Sequence, residues 1–200
     1  EMIGGPRNWD YRFCWVRDAK LTLTALTNAG YVSEAQAWRE WLLRAVAGSP
    51  EQLQIMYGIA GERRLTEWET PWLPGYENSR PVRIGNAAHE QLQLDVFGEL
   101  LSTFHHGRTC GLAATSSGWA LEVAVLDHLA KVWKQPDQGI WEMRGDPQHF
   151  TYSKAMAWLA FDRAILSAET FGLEGPIDRW RSLRAEIHDE VCTRGFDPEL

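Results

Sequence analysis

Glu142 stands in the stretch QGIWEMRGDPQHFTYSK, residues 138–154, between Trp141 and Met143 and two positions before Arg144. A carboxylate beside an indole and a thioether loses hydration, which favours its neutral form, and a neutral carboxyl near pH 7 is what a general acid requires. The plainer alternative is a carboxylate tied to Arg144 or to a backbone N–H. A second pair, Arg17 and Asp18 in WVRD, lies beside Trp15. Asp accepts and Arg donates, so together they can hold adjacent hydroxyls of a sugar. They can equally be an Asp placed by the helix dipole and a surface Arg. A third stretch, GERRLTEWETPWLPGYE, mixes Glu62, Glu67 and Glu69 with Trp68 and Trp72. Carboxylates among indoles suit a sugar subsite, because the C–H face of a sugar ring stacks on an indole. Arg63 and Arg64 offer the same acids ordinary ion-pair partners.

Other combinations carry less. His105, His106 and Cys110 do not make a metal site, since neighbouring residues diverge on a helix and no fourth ligand has a suitable spacing. No glycine-rich phosphate loop follows a strand and no serine nucleophile elbow is present, so no cofactor is expected.

Helical periodicity supplies the elements that must position these residues. Six helical segments are expected: about 18–28, with Gly30 past its end; from Ser33, where Ser33 and Gln36 have capping-box spacing; from near Asn86; about 118–134, capped by Ser116 or Ser117; about 153–172; and one after Pro176. Their apolar stripes include Ala35, Trp38, Leu42 and Ala45 in the second, Leu92, Val96, Leu100 and Phe104 in the third, and Trp180, Leu183, Ile187 and Val191 in the sixth. Strand signal is weak, apart from a possible hairpin in LQIMYGIAGERRLTEW turning at IAGE. Long aromatic and charged segments precede the first, third and fifth helices. If successive helices alternate up and down, all three segments meet at one end.

Composition narrows the class. A chain of 200 residues with 44% hydrophobic residues can bury one core, and its apolar runs are broken by charge before a membrane span is complete. A net charge of −7 without a basic cluster argues against nucleic acid. Three scattered cysteines and the lack of a signal-peptide pattern suggest a reducing, cytoplasmic setting. The 11 tryptophans serve either a helical core or carbohydrate stacking, and the count alone favours core.

The stretches RNWDYRFCWVRDA, LQIMYGIAGERRLTEWE, PGYENSRPVRIGNAA and GIWEMRGDPQHFTYSKAMAW, in this order, resemble glycoside hydrolase family 15, the glucoamylase and trehalase family, in its bacterial branch. The resemblance implies an all-α fold, the six-hairpin α/α toroid. About half of its barrel would lie in residues 1–200, as a partial catalytic domain, and CTRGFDPEL would lead towards the next inner helix. An N-terminal β-sandwich and the second half of the barrel would lie outside. It further implies that Glu142 is the general acid, that Trp15, Arg17, Asp18 and Trp141 bind the terminal glucose, and that the general base sits in a later segment. Trp68 and Glu69 are candidates for further sugar contacts. The implied activity is inverting, exo-acting hydrolysis of α-glucosides from non-reducing ends, glucoamylase-like, on maltooligosaccharides. An α,α-trehalase and a non-catalytic carbohydrate-binding or helical scaffold module are the alternatives. Residues 1–200 alone are expected to be inactive and, through exposed apolar helix faces, to self-associate.

Overall fold

The computed structural model describes residues 2–46 and 52–196. Among the described residues six α-helices carry the fold: α1 (Val16–Asn28), α2 (Val32–Ala45), α3 (Asp95–Thr109), α4 (Ser116–Val132), α5 (Thr151–Phe171) and α6 (Ile177–Arg194). Four two-residue strands accompany them: β1 (Cys14–Trp15), β2 (Met56–Tyr57), β3 (Trp68–Glu69) and β4 (Arg83–Ile84). The fold is all-α.

Helix α3 packs between α1 and α5, and these three run in the same direction. Near their starts Lys20 of α1 pairs with Glu99 of α3 at 3.1 Å, and Tyr152 of α5 donates to Glu99 at 3.2 Å. Near their ends His106 of α3 meets Thr27 of α1 at 3.0 Å, and His105 meets Ser167 of α5 at 2.9 Å. The three long segments therefore do converge on one end. Gly98 permits a close approach of α3 to α5, since a Cβ there would come within 2.4 Å of the Met156 carbonyl. Helices α2 and α4 back the layer, and α6 packs on α5. The core runs between the layers through Leu42, Leu100, Leu126, Leu129, Phe161, Trp180 and Ile187, all at most 1% exposed. Burial at such positions stabilises by about 1.5–3 kcal/mol each, which makes packing the force that fixes the helices.

Several boundaries differ from the sequence expectation, each for a local reason. Helix α2 already begins at Val32, so Ser33 is inside the first turn and cannot cap. Its hydroxyl donates to Glu34 and Gln36 donates to Glu40 instead. Asn86 does cap, with its side-chain oxygen accepting from the Ala88 N–H, but it caps a single 3₁₀ turn over Ala87–Glu90. The chain then extends, and α3 starts at Asp95 after the Asp137 carboxylate accepts from the Leu94 N–H at 2.9 Å. At α4 the cap is Thr115, whose hydroxyl accepts from the Gly118 N–H. The expected hairpin is absent. IAGE does turn, with Gly58 donating to Glu62 at 2.9 Å, but β2 pairs with β1 and β3 with β4. Ladders of two residues gain too little to stand alone and take whichever partners the packed helices bring close. The stretch beyond Phe196, read as the lead into a further helix, lies outside the described residues.

Candidate active site

The β1–β2 ladder sets the first side chains. Trp15 pairs with Met56 and Cys14 with Tyr57, and the Val16 N–H donates to the Ile55 carbonyl at 2.9 Å as α1 begins. Trp15 is thereby buried as the extended residue before α1, and the turn that follows projects Arg17 and Asp18. Its indole Nε1 donates to Glu142 Oε1 at 2.6 Å. Among the described residues this is the side-chain hydrogen bond Glu142 makes, and Glu142 lines the cavity beside it.

Glu142 sits on a loop closed at its base by two backbone hydrogen bonds of 2.8 Å between Asp137 and Gln148. Its φ of 54° is left-handed, a conformation that a non-glycine residue holds at a cost of about 1–3 kcal/mol unless its surroundings impose it. Four contacts impose it. Arg17 donates to the Ile140 carbonyl at 2.9 Å, and Gln91 donates to the Met143 carbonyl at 3.1 Å. Arg144 donates to Glu67 at 3.2 Å and to Asn86 Oδ1 at 3.1 Å. The loop also needs Gly139, which has φ 66° and lies where a Cβ would come within 2.8 Å of the Phe150 ring.

A cavity of about 550 Å³ opens over this arrangement, lined by Tyr11, Phe13, Trp15, Arg17, Asp18 and Glu142 among others. It places an acid, an Arg–Asp pair and several aromatic faces around one space large enough for a hexose. Arg17 is half-buried and Asp18 exposed, with 3.6 Å between guanidinium and carboxylate. Behind them lies a buried acidic floor. Asp95, only 1% exposed, is 3.9 Å from Arg17, and one of its oxygens has no hydrogen-bond partner. Burial raises Asp95 to about 6; Arg17 opposes the shift, while nearby Glu99 and Asp137 add to it. Tyr152 is pushed up to about 12 by burial and by the carboxylates of Glu99 and Asp95.

The expected site residues divide. Trp15, Arg17, Asp18 and Glu142 come together. Trp141 does not cover Glu142: it is 82% exposed, and Met143 is also exposed. The desolvating sandwich expected from the sequence is replaced by an indole N–H from Trp15, because the left-handed turn at Glu142 sends its neighbours outwards. Arg144 leaves Glu142 for Glu67. Trp68 and Glu69 lie on β3, where Glu69 is 3.5 Å from Arg83 and the exposed Trp68 and Trp72 rings are 5.9 Å apart. Arg63 turns away from these acids to the Ala45 carbonyl. Tyr11, Gln91 and Asp95 had no sequence signal beyond lying in or near the quoted stretches, and Asn86 had only that of a helix start. His105 and His106 bond to Ser167 and Thr27 at the opposite end.

A mainly helical frame that gathers two carboxylates, a guanidinium and the aromatic rings of Tyr11, Phe13, Trp15 and Trp38 around an open cavity carries the groups used in carbohydrate recognition. The chain matches the family described as Glycosyl hydrolases family 15 over residues 3–200 and belongs to it. It is 38% identical to a trehalase of Thermoplasma acidophilum over all of its own length and 34% of that protein. It is 41% identical to a trehalase of Mycolicibacterium smegmatis over 98% of its length and 30% of that protein. With a trehalase of Mycobacterium tuberculosis it shares 38% identity over 98% of its length and 29% of the relative. The chain thus spans about a third of the length of these relatives. No solved structure matches it. Among the described residues no helix is long and apolar enough to cross a membrane.

Proposed function

We propose that the full-length protein carrying these residues hydrolyses an α-linked glucoside, with trehalose as its substrate and Glu142 as the general acid. The observation that carries this reading is the 2.6 Å bond from Trp15 to Glu142 at the mouth of a cavity that Arg17 and Asp18 also line. The names of the relatives support trehalose. Glucoamylase-like release of glucose from maltooligosaccharides rests on family membership and stands second.

In this mechanism Arg17 and Asp18 hold hydroxyls of one glucose. The Glu142 carboxyl gives its proton to the glycosidic oxygen as the C1–O bond breaks, so the leaving glucose departs as a neutral alcohol. Water attacks C1 from the opposite face and passes its proton to a second carboxylate, which in inverting enzymes lies roughly 6.5–9.5 Å from the acid. That base is assigned to the part of the protein outside these residues. The indole N–H on Oε1 fixes the carboxyl's rotation and leaves Oε2 as the oxygen that carries the proton.

The test is a side-by-side assay of the full-length protein on trehalose and maltotetraose, with the product anomer followed by NMR. The expected result is a higher kcat/KM on trehalose and one product formed first as β-glucose. Turnover of maltotetraose alone would move the assignment to the glucoamylase-like reading. Binding of either sugar without turnover would favour a carbohydrate-binding module.

A further inference from the structure

We infer that Arg144 is a positioning residue that sets the reach of Glu142 by clipping its loop to Glu67 and Asn86; this rests on the hydrolase reading above. Arg144 is two residues from Glu142, yet its guanidinium turns away from that carboxylate. It donates to Glu67 Oε2 and Asn86 Oδ1, and its Cζ lies 5.5 Å from the centre of the Trp9 ring. The receiving side is itself built. Glu67 Oε2 also accepts from the Ala87 N–H at 3.1 Å, and Arg83 stands 3.8 Å from Oε1. Asn86 is fully buried, with its amide nitrogen donating to the Asp10 carbonyl at 3.3 Å. Arg83 takes a place 4.6 Å from the Trp9 ring and donates to the carbonyls of Pro6 and Asn8. Trp9 therefore holds both guanidiniums on a base that does not touch the cavity.

The geometry explains why such a clip is needed. The loop is closed at 137 and 148, and a left-handed residue lies between. Arg17 and Gln91 grip backbone carbonyls before and after Glu142, which fixes the height of the loop. Arg144 adds a side-chain tether on the far side, 77 residues away in sequence from Glu67 and 58 from Asn86. Without it the turn at Glu142 can relax towards ordinary φ, moving the carboxyl off the Trp15 N–H and away from the glycosidic oxygen. Glu67, spent on three cationic or N–H partners, is on this account an anchor.

A displaced acid should hurt substrates that need protonation and spare those that do not. The experiment compares Arg144→Ala, Arg144→Lys, Glu67→Gln and the double Glu67→Gln/Arg144→Ala in the full-length protein, on trehalose and on α-glucosyl fluoride. Misplacement by about 1 Å can reduce a rate by about 10²-fold, so kcat on trehalose should fall about 10- to 100-fold in Arg144→Ala with KM nearly unchanged. The fluoride rate should fall much less, Arg144→Lys should recover part of the loss, and the double variant should be no worse than Arg144→Ala alone. Equal losses on both substrates, or additive losses in the double variant, would overturn the inference, because a general loss of folded enzyme does both. If the wild type turns over neither substrate, the hydrolase reading fails, and the crystal structure of Arg144→Ala judges the clip alone. Loss of the Trp15–Glu142 hydrogen bond supports it; retention overturns it.

Discussion

Where α1, α3 and α5 begin, Glu142 stands at φ 54° with its side chain bonded to Trp15, Asp95 keeps a buried oxygen unpartnered, and Trp68, Trp72 and Trp141 lie open to solvent. Where the same helices end, Arg108 pairs with Glu122, donates to Ser167 at 3.0 Å and lies 5.4 Å from the Trp119 ring. There His105 and His106 are each bonded to a hydroxyl, and Arg39 donates to the Ala113 carbonyl at 2.6 Å. Both ends keep buried polar atoms without a hydrogen-bond partner, Asp95 Oδ1 at the first and Glu122 Oε2 and Arg39 Nε at the second, but only the first adds a left-handed carboxylate residue that lines an open cavity. Backbone strain persists where the surroundings over-determine it, and such places are the usual sites of function. The far end spends the same residue types on holding helices together.

The largest expected effect breaks the far end. Arg108→Ala leaves Glu122 buried without its cation, and losing one member of a buried pair typically costs about 3–5 kcal/mol. Burial already pushes the Glu122 carboxyl up, against the pull of Arg108. Denaturant titration of the full-length protein should show the loss, while kcat per folded molecule stays at the wild-type value. A kinetic defect without a stability defect would erase the distinction between the ends.

Asp95 comes next, because it links the floor of the site to stability. Its folded value of about 6 lies above the ordinary 3.8, so the folded state binds the proton more tightly. The stability this gives is full below pH about 4 and is lost as pH rises through about 6. Asp95→Asn removes that dependence and should stabilise the protein above pH 7 by on the order of 1–3 kcal/mol, allowing for the Arg17 contact it gives up. Midpoints of unfolding at pH 4 and pH 8 check it; an unchanged difference between the two would exclude Asp95 as its source.

Trp15→Phe makes a smaller cut at the site end. It keeps much of the ring in the core and deletes the N–H that reaches Glu142. A hydrogen bond to a charged or proton-donating group contributes about 1.5–3 kcal/mol, so kcat should fall about 10- to 100-fold. Steady-state kinetics on trehalose measure it, and a defect confined to KM would mean that the indole serves binding alone.

Much of this contrast was legible in the sequence, and the reasons differ by residue. Long helices declare themselves by period, and Gly172, at φ 65°, ends α5 as its position indicates. Connector lengths then place the rich segments before α1, α3 and α5 at one end. Short ladders have no period to read, so the pairing of Trp15 with Met56, which orients the indole, could not be foreseen. Nor could the conformation of Glu142, since φ there is set by Arg17, Gln91 and partners of Arg144 far along the chain. In a loop, sequence adjacency to Trp141 says nothing about which way the indole points. The roughly 3.6-residue period that serves a helix has no counterpart there, and the indole that bonds Glu142 is 127 residues away.

The role proposed for Glu142 is to donate the proton. Glu142→Gln keeps the shape of the side chain and can still accept from the Trp15 N–H, but it cannot protonate the glycosidic oxygen. Measuring kcat of the full-length variant on trehalose and on α-glucosyl fluoride tests this directly. The expected result is a fall of about 10²–10⁴-fold on trehalose with KM little changed, and partial recovery on the fluoride, whose leaving group needs less assistance. A variant that kept near-normal kcat on trehalose would contradict it and return Glu142 to the role of a structural carboxylate.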